Sequence, residues 1–266
     1  YLIIFIISLL GFLIRLLGID WDQGILFHPD ERQLLMISER ISLKNLDPGW
    51  YNYGTLPLYV LELFSFGIDD LKTLRFPARI LSSLFDSLSI FLIGELGKRF
   101  HSKLTGIISS IFYSTSVLAL QLSHFFTVDT FLNTSIILIF LLCSNLIQKN
   151  NTKNLIYLSI AIGVGFAIKI SIFIIAVPVL ITLIFSTKFK INLSNFKTQN
   201  FYTLIISIII VGLISIVSFG LLNPYSIINL QEFINSSKIQ SEMARGIIDF
   251  LYTRQYINTT PYIYHI

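Results

Sequence analysis

Residues 128–147 read VDTFLNTSIILIFLLCSNLI, twenty residues with a single charge, Asp129, at the second position. The hydrocarbon core of a bilayer is about 30 Å thick and takes about 20 largely apolar residues to cross as a helix. The stretch therefore predicts a spanning helix that begins with an acid. Comparable apolar runs lie near residues 2–19, 80–97, 104–122, 154–168, 170–187 and 201–222, which predicts an all-α polytopic membrane protein with about seven spanning helices. Composition agrees. Of 266 residues, 54% are hydrophobic and only 13% charged, against about 25% charged in a soluble domain. These values exclude a water-soluble globule and a disordered chain. The lone Cys143 excludes a disulfide scaffold.

Charge orients the helices. The connections 98–103, 148–153 and 188–200 carry Lys98, Arg99, Lys103, Lys149, Lys153, Lys188, Lys190 and Lys197 and no acid, so they are expected on the cytoplasmic side. The net charge of +4 sorts by membrane side in this way and makes no case for nucleic acid. Residues 55–68, TLPLYVLELFSFGI, are apolar but short, and they contain Pro57 and Glu62. A re-entrant or interfacial helix suits that length better than a span. Residues 20–79 then form one large outside loop holding nine of the fifteen acids, and the chain after Asn223 is an outside tail. Within the loop, 31–45 has apolar residues at helical spacing and predicts an amphipathic helix on the outer surface. Gly163 and Gly165 predict close helix packing. The chain reads as one transmembrane module, 1–266, and as the N-terminal part of a longer protein.

Three groups of residues could carry chemistry on the outside. The first is His28-Pro29-Asp30-Glu31-Arg32, where Asp30 either caps the amphipathic helix or accepts a proton from a hydroxyl. The second is Ser123 to Asp129. Asp129 is the one acid between Glu95 and Glu232, and an ionisable group so placed is a functional candidate. It can also simply cap its helix, and His124 reads more readily as a satisfied interfacial histidine. The third is a set of cations, Arg75, Arg79 and Lys169, suited to an anionic phosphate, although Lys169 could snorkel and Arg79 could pair with Asp86 seven residues on. Glu95 is expected to snorkel or pair with Arg99. The chain has no Walker A loop, Rossmann fingerprint, Cys/His metal spacing or G-x-S-x-G elbow. Energy for any reaction would have to come from an activated donor in the membrane.

HPDER (28–32), YGTLPLYV (53–60), RFPARILSSLFD (75–86), QLSHFFTVDTF (121–131), GVGFAIKISIFII (163–175) and the tail from Gln240 resemble the GT-C membrane glycosyltransferases. The similarity is to the bacterial branch of glycosyltransferase family 39, the protein O-mannosyltransferases and aminoarabinose transferases. The resemblance implies transfer of a sugar from a polyprenyl-phosphate lipid to a protein, lipid or glycan acceptor on the outer face of the plasma membrane. It implies Asp30, with Glu31 beside it, as catalytic base or acceptor-orienting group, and Asp129 as organiser of the site. Arg79 and Lys169 would contact the lipid phosphate, with Arg75 nearby. His28, Tyr53, His124, Arg254 and Tyr256 are further candidates for substrate contact. An acid at Asp86 departs from the family pattern, where a small residue is usual. Cations alone can handle a lipid monophosphate leaving group, so no cofactor is required; a divalent cation at the paired acids is the alternative. The rival readings are a transporter or lipid-linked sugar flippase, and a non-catalytic membrane subunit.

Overall fold

A computed structural model describes residues 1–42, 44–65, 67, 68, 70–187, 198–249, 251 and 254. The first apolar run forms helix α1 (Leu2–Leu16), and the longest helix, α4 (Leu71–Phe100), runs antiparallel to it. Contacts fix that direction: Tyr1 lies against Lys98, Ser8 donates to the Ser87 carbonyl, and Arg15 meets Asp86. The chain therefore leaves α1 and enters α4 at the same end of the bundle. The helices between them, α2 (Pro29–Ser38) and α3 (Leu56–Ser65), lie at that end. A single short apolar helix between two ends on one side cannot be a span, which resolves the ambiguity over 55–68.

The chain continues through α5 (Lys103–Ser114), α6 (Val117–Ser123), α7 (Val128–Gln148) and α8 (Thr152–Phe166). A 3-10 turn (Ile170–Ile175), α9 (Ala176–Ser186), α10 (Thr198–Leu222), α11 (Tyr225–Ile228) and α12 (Leu230–Ala244) follow. Among the described residues there is no strand, only an isolated bridge between Ser42 and Asn45. The fold is all-α, as expected. Each predicted apolar run is helical. Among the described residues three helices, α4, α7 and α10, are long and apolar enough to cross a membrane, and α5 with α6 makes a fourth if that pair, bent by 58°, is one span. The other runs give shorter helices, α1 and α8 having 15 residues each.

Small residues set the helix packing. A Cβ at Gly94 would lie 2.2 Å from the Ser110 hydroxyl, and one at Gly106 would lie 2.5 Å from the Gly94 carbonyl, so α4 and α5 touch backbone to backbone. Gly163 brings α8 against α10 in the same way, with Ser215 O 2.6 Å from the position a Cβ would take. Close approach through small residues is how helices associate where lipid removes the hydrophobic drive between them. Ser89 and Thr134 hydrogen-bond between α4 and α7 at 2.9 Å. The leucines and isoleucines on the outer faces of α1, α9 and α10 remain exposed.

Two expectations for the loop between α1 and α4 change. The amphipathic helix ends at Ser38, and it is sunk into the core rather than lying on the surface: Leu34, Leu35 and Ile37 pack with Leu58, Leu61 and Leu74. Its N-cap is His28, whose Nδ1 accepts from the Glu31 amide at 3.5 Å, so Asp30 is not the cap. Pro29 takes the first helical position, where no N–H is needed. At the opposite end of the bundle, Glu95 pairs with Lys98 at 2.8 Å, and Arg99 instead meets Asn145.

Candidate active site

The end of the bundle that holds α2 and α3 also gathers the N-termini of α4 and α7 and the C-terminus of α8. Tyr53 is placed there by the glycine after it. The Gly54 amide donates to Ile168 O at 2.9 Å and the Leu56 amide to Ala167 O at 3.1 Å. A Cβ at Gly54 would sit 2.0 Å from the Ala167 carbonyl oxygen, so only glycine permits this approach. Tyr53 is thereby laid beside Lys169, whose Nζ is 5.1 Å from the centre of its ring. The Tyr53 hydroxyl donates to Asp30 Oδ2 at 3.4 Å. Lys169 Nζ also reaches Asp129 Oδ1 at 3.0 Å, with the two side chains 25% and 39% exposed. Four segments far apart in sequence thus supply one half-buried group of Asp30, Tyr53, Lys169 and Asp129.

Behind this group lies a fully buried ion cluster. Arg79 donates through Nε to Glu31 Oε1 (2.7 Å) and through Nη2 to Glu31 Oε2 (2.8 Å) and Asp22 Oδ2 (2.7 Å). Its Nη1 donates to Asp22 Oδ1 (2.9 Å) and to the Ile19 carbonyl (2.7 Å). Five bonds account for all five guanidinium N–H groups. The side chains of Arg79, Asp22 and Glu31 have no exposure. Arg79 therefore has no donor left for a lipid phosphate, and Glu31 is not a free carboxylate. Both belong to the support of the site, and the expectations for them are corrected accordingly. Glu31 Oε1 also accepts the Phe126 amide at 3.0 Å. Phe126 leads into α7, so the cluster ties the helix carrying Asp30 to the helix carrying Asp129.

The loop before α2 is wrapped around Asp22, whose oxygens accept the Gly24 and Leu26 amides at 3.1 and 3.0 Å. Gln23 and Leu26 take left-handed φ values of 52° and 57° to make that wrap, a conformation non-glycine residues rarely hold without such support. Burial alone would push the Asp22 carboxyl up, but the Arg79 hydrogen bonds and charge and the two amides outweigh it and hold it at about 2. The depressed value means that the stabilisation is fully present above the unfolded carboxyl range, near 4, and is lost as pH falls through about 2. The expected result is a drop in thermal stability between pH 5 and pH 3 that is smaller in Asp22→Asn, read by unfolding in detergent. An equal pH dependence in both proteins would remove Asp22 from the linkage.

The remaining candidates are also placed. Arg75 pairs with Asp20 at 2.6 Å and donates to the Lys72 carbonyl, with its guanidinium over Phe76, so it is committed to the loop after α1. Asp86 pairs with Arg15 at 2.5 Å and not with Arg79. His124 has Nδ1 2.7 Å from Leu120 O and Nε2 2.9 Å from Leu17 O, and so joins α6 to the end of α1 rather than facing a substrate. The His28 ring lies 4.6 Å from Phe125. Arg254 pairs with Asp249 at 2.8 Å. Tyr256 lies outside the described residues. Among the described residues, no three His, Cys, Asp or Glu side chains are grouped so as to hold a metal ion. Sequence reading passed over Arg15 and Asp22. A cation inside an apolar helix is itself a signal that a buried acid must face it, and Arg15 carried that signal. Asp22 carried none, being one of nine acids in its loop.

A profile described as dolichyl-phosphate-mannose-protein mannosyltransferase matches residues 59–215, more than half of the chain. The chain belongs to that family. No curated protein and no solved structure matches it significantly. The protein is thus a membrane glycosyltransferase of mannosyltransferase type, in line with the resemblance read from its motifs. The matched region contains Arg75, Arg79, Asp129 and Lys169. Asp30 and Tyr53 precede it, and the geometry alone brings them to the same place.

Proposed function

We propose that the protein transfers a sugar from a polyprenyl-phosphate carrier to an acceptor hydroxyl at the outer face of the plasma membrane. The observation that carries this reading is the meeting of Asp30, Tyr53, Lys169 and Asp129 at one end of the bundle. Lys98, Arg99, Lys103, Lys149 and Lys153 lie towards the opposite end, around Glu95, Asn145 and the start of α8, which favours the site end being outside. In the proposed reaction the acceptor oxygen attacks the anomeric carbon as the bond from that carbon to the phosphate oxygen breaks. The bonding pair stays on the phosphate, and Asp30 takes the acceptor proton. A direct displacement inverts the anomeric carbon. Lys169 stabilises the charge growing on the phosphate, and Asp129 holds the Lys169 ammonium in place. Lys169 supplies the positive charge in these steps, and the scheme does not call on a divalent cation.

An apolar groove of about 660 Å³ supports a lipid donor. It runs between the 3-10 turn, α9 and α10, and its lining includes Phe166 and Ile170, which flank Lys169 in sequence. An isoprenoid chain lying there would bring its phosphate to the lysine.

Labelled polyprenyl-phosphate sugars supplied to the protein in vesicles test the reading. The parent should turn over at least one of them, and Lys169→Met should lower kcat by about 10²–10³-fold, the usual cost of losing one charge-stabilising donor. No turnover of any such donor, or turnover unchanged in Lys169→Met, would overturn it.

A further inference from the structure

A second cavity, of about 310 Å³, lies in the bend between α5 and α6. Its polar lining comprises Asp86, Tyr113, Ser116, Asp129, Thr130 and Asn133. Asp129 is shared with the site described above, one carboxylate oxygen facing Lys169. The deeper wall is a chain of polar groups inside the bundle. Arg15 Nε donates to Asp86 Oδ2 at 2.5 Å, the Tyr113 hydroxyl donates to Asp86 Oδ1 at 2.7 Å, and the Asn133 amide donates to the Tyr113 oxygen. A polar array at this depth among apolar helices is costly to maintain unless something uses it.

The charges define what fits. Each carboxylate at this cavity already has its cation: Asp86 has Arg15 and Asp129 has Lys169. The lining is therefore close to neutral, which gives a free metal cation little to bind. An anion would meet no cation in the lining. Hydrogen-bonding capacity left open in the lining includes Asp129 Oδ2, and the Asn133 side-chain oxygen with its second N–H. Several acceptors with a donor, around an uncharged space, suit the hydroxyl groups of a neutral polyol.

We infer that this cavity receives the glycosyl group of the donor, and that Asn133, with Tyr113 and Asp86 behind it, reads its hydroxyls. The inference rests on the glycosyltransferase reading and extends it. The phosphate stays at Lys169 and the sugar turns inward past Asp129. Asn133 is then a specificity residue, and Tyr113 a positioning residue that holds the Asn133 amide through a bond anchored on Asp86. It also gives the unusual acid at position 86 a role, as the fixed end of that chain.

Donors lacking single hydroxyls test this with the full-length protein in vesicles. The parent should discriminate at least tenfold in kcat/KM against one deoxy donor. In Asn133→Ala that discrimination should fall towards one, with the KM for acceptor unchanged. Tyr113→Phe, which keeps the ring and removes the hydroxyl, should shift selectivity in the same direction by a smaller factor, and it serves if the alanine variant unfolds. An active parent whose deoxy-donor preferences are the same in both variants would overturn the sugar pocket and leave the transfer reading standing. A parent inactive with every donor would overturn both, and the two failures are told apart by the parent alone.

Discussion

Asp30→Asn should retain its fold and lose between about 10² and 10⁴ of its turnover, the contribution expected of a positioned general base. Asp30 is half-buried, and among the described residues its carboxylate takes one hydrogen bond, from Tyr53 at 3.4 Å. An amide fits that space and keeps the oxygen for Tyr53, so little packing is lost. What disappears is an acceptor able to take a proton from an incoming hydroxyl. Glu31→Gln is the informative comparison because it is the adjacent acid. Glu31 bridges Arg79 and the Phe126 amide without exposure, so its loss should appear first in thermal stability. Turnover and unfolding midpoints measured on both variants separate the roles. Equal turnover by the parent and a well-folded Asp30→Asn would remove Asp30 from the chemistry.

The largest effect on stability is expected at Arg79. Arg79→Met leaves Asp22 and Glu31 as buried carboxylates without a counter-ion, and breaking a buried pair in this way costs about 3–5 kcal/mol. Arg79→Lys should rescue little. A lysine offers three donors from one point, whereas two carboxylates and the Ile19 carbonyl are held by a planar fork. Combining Arg79→Met with Glu31→Gln and Asp22→Asn should recover part of the loss, because the charges left unpaired by the first change are then gone. Unfolding midpoints in detergent, compared across these variants, check the ledger. A stability of Arg79→Lys equal to the parent would show that the five-bond arrangement is not what holds the loop to α7.

Much of the architecture was legible as composition and period. Twenty-residue apolar runs can be satisfied only as helices in lipid, because every backbone N–H and C=O must find its partner inside its own segment. The pairing of Glu95 with Lys98, the sinking of α2 into the core and the break between α5 and α6 were not legible. They depend on which side chains happen to face one another across helices. The same division runs through the site. Asp129 and Lys169 stood out because an isolated charge beside an apolar run needs a reason, and Asp30 stood out through the HPDER cluster and the family resemblance it carries. Arg79 stood out for the same reason, yet its position says nothing about whether its partner is a ligand or a carboxylate fifty residues away.

Sequence by itself determined that this is an all-α membrane protein, that its charges divide between two ends, and that a few acids and cations gather at one of them. Local rules suffice for that, since hydrophobic length and charge act residue by residue against the bilayer. Only the tertiary structure decided that Asp22 and Glu31 neutralise Arg79, that Gly54 lays Tyr53 against Lys169, and that Arg15 faces Asp86. Each of those outcomes is a competition among several charges for one partner, won by distance and by the number of hydrogen bonds each geometry allows, and distance does not exist until the helices have packed.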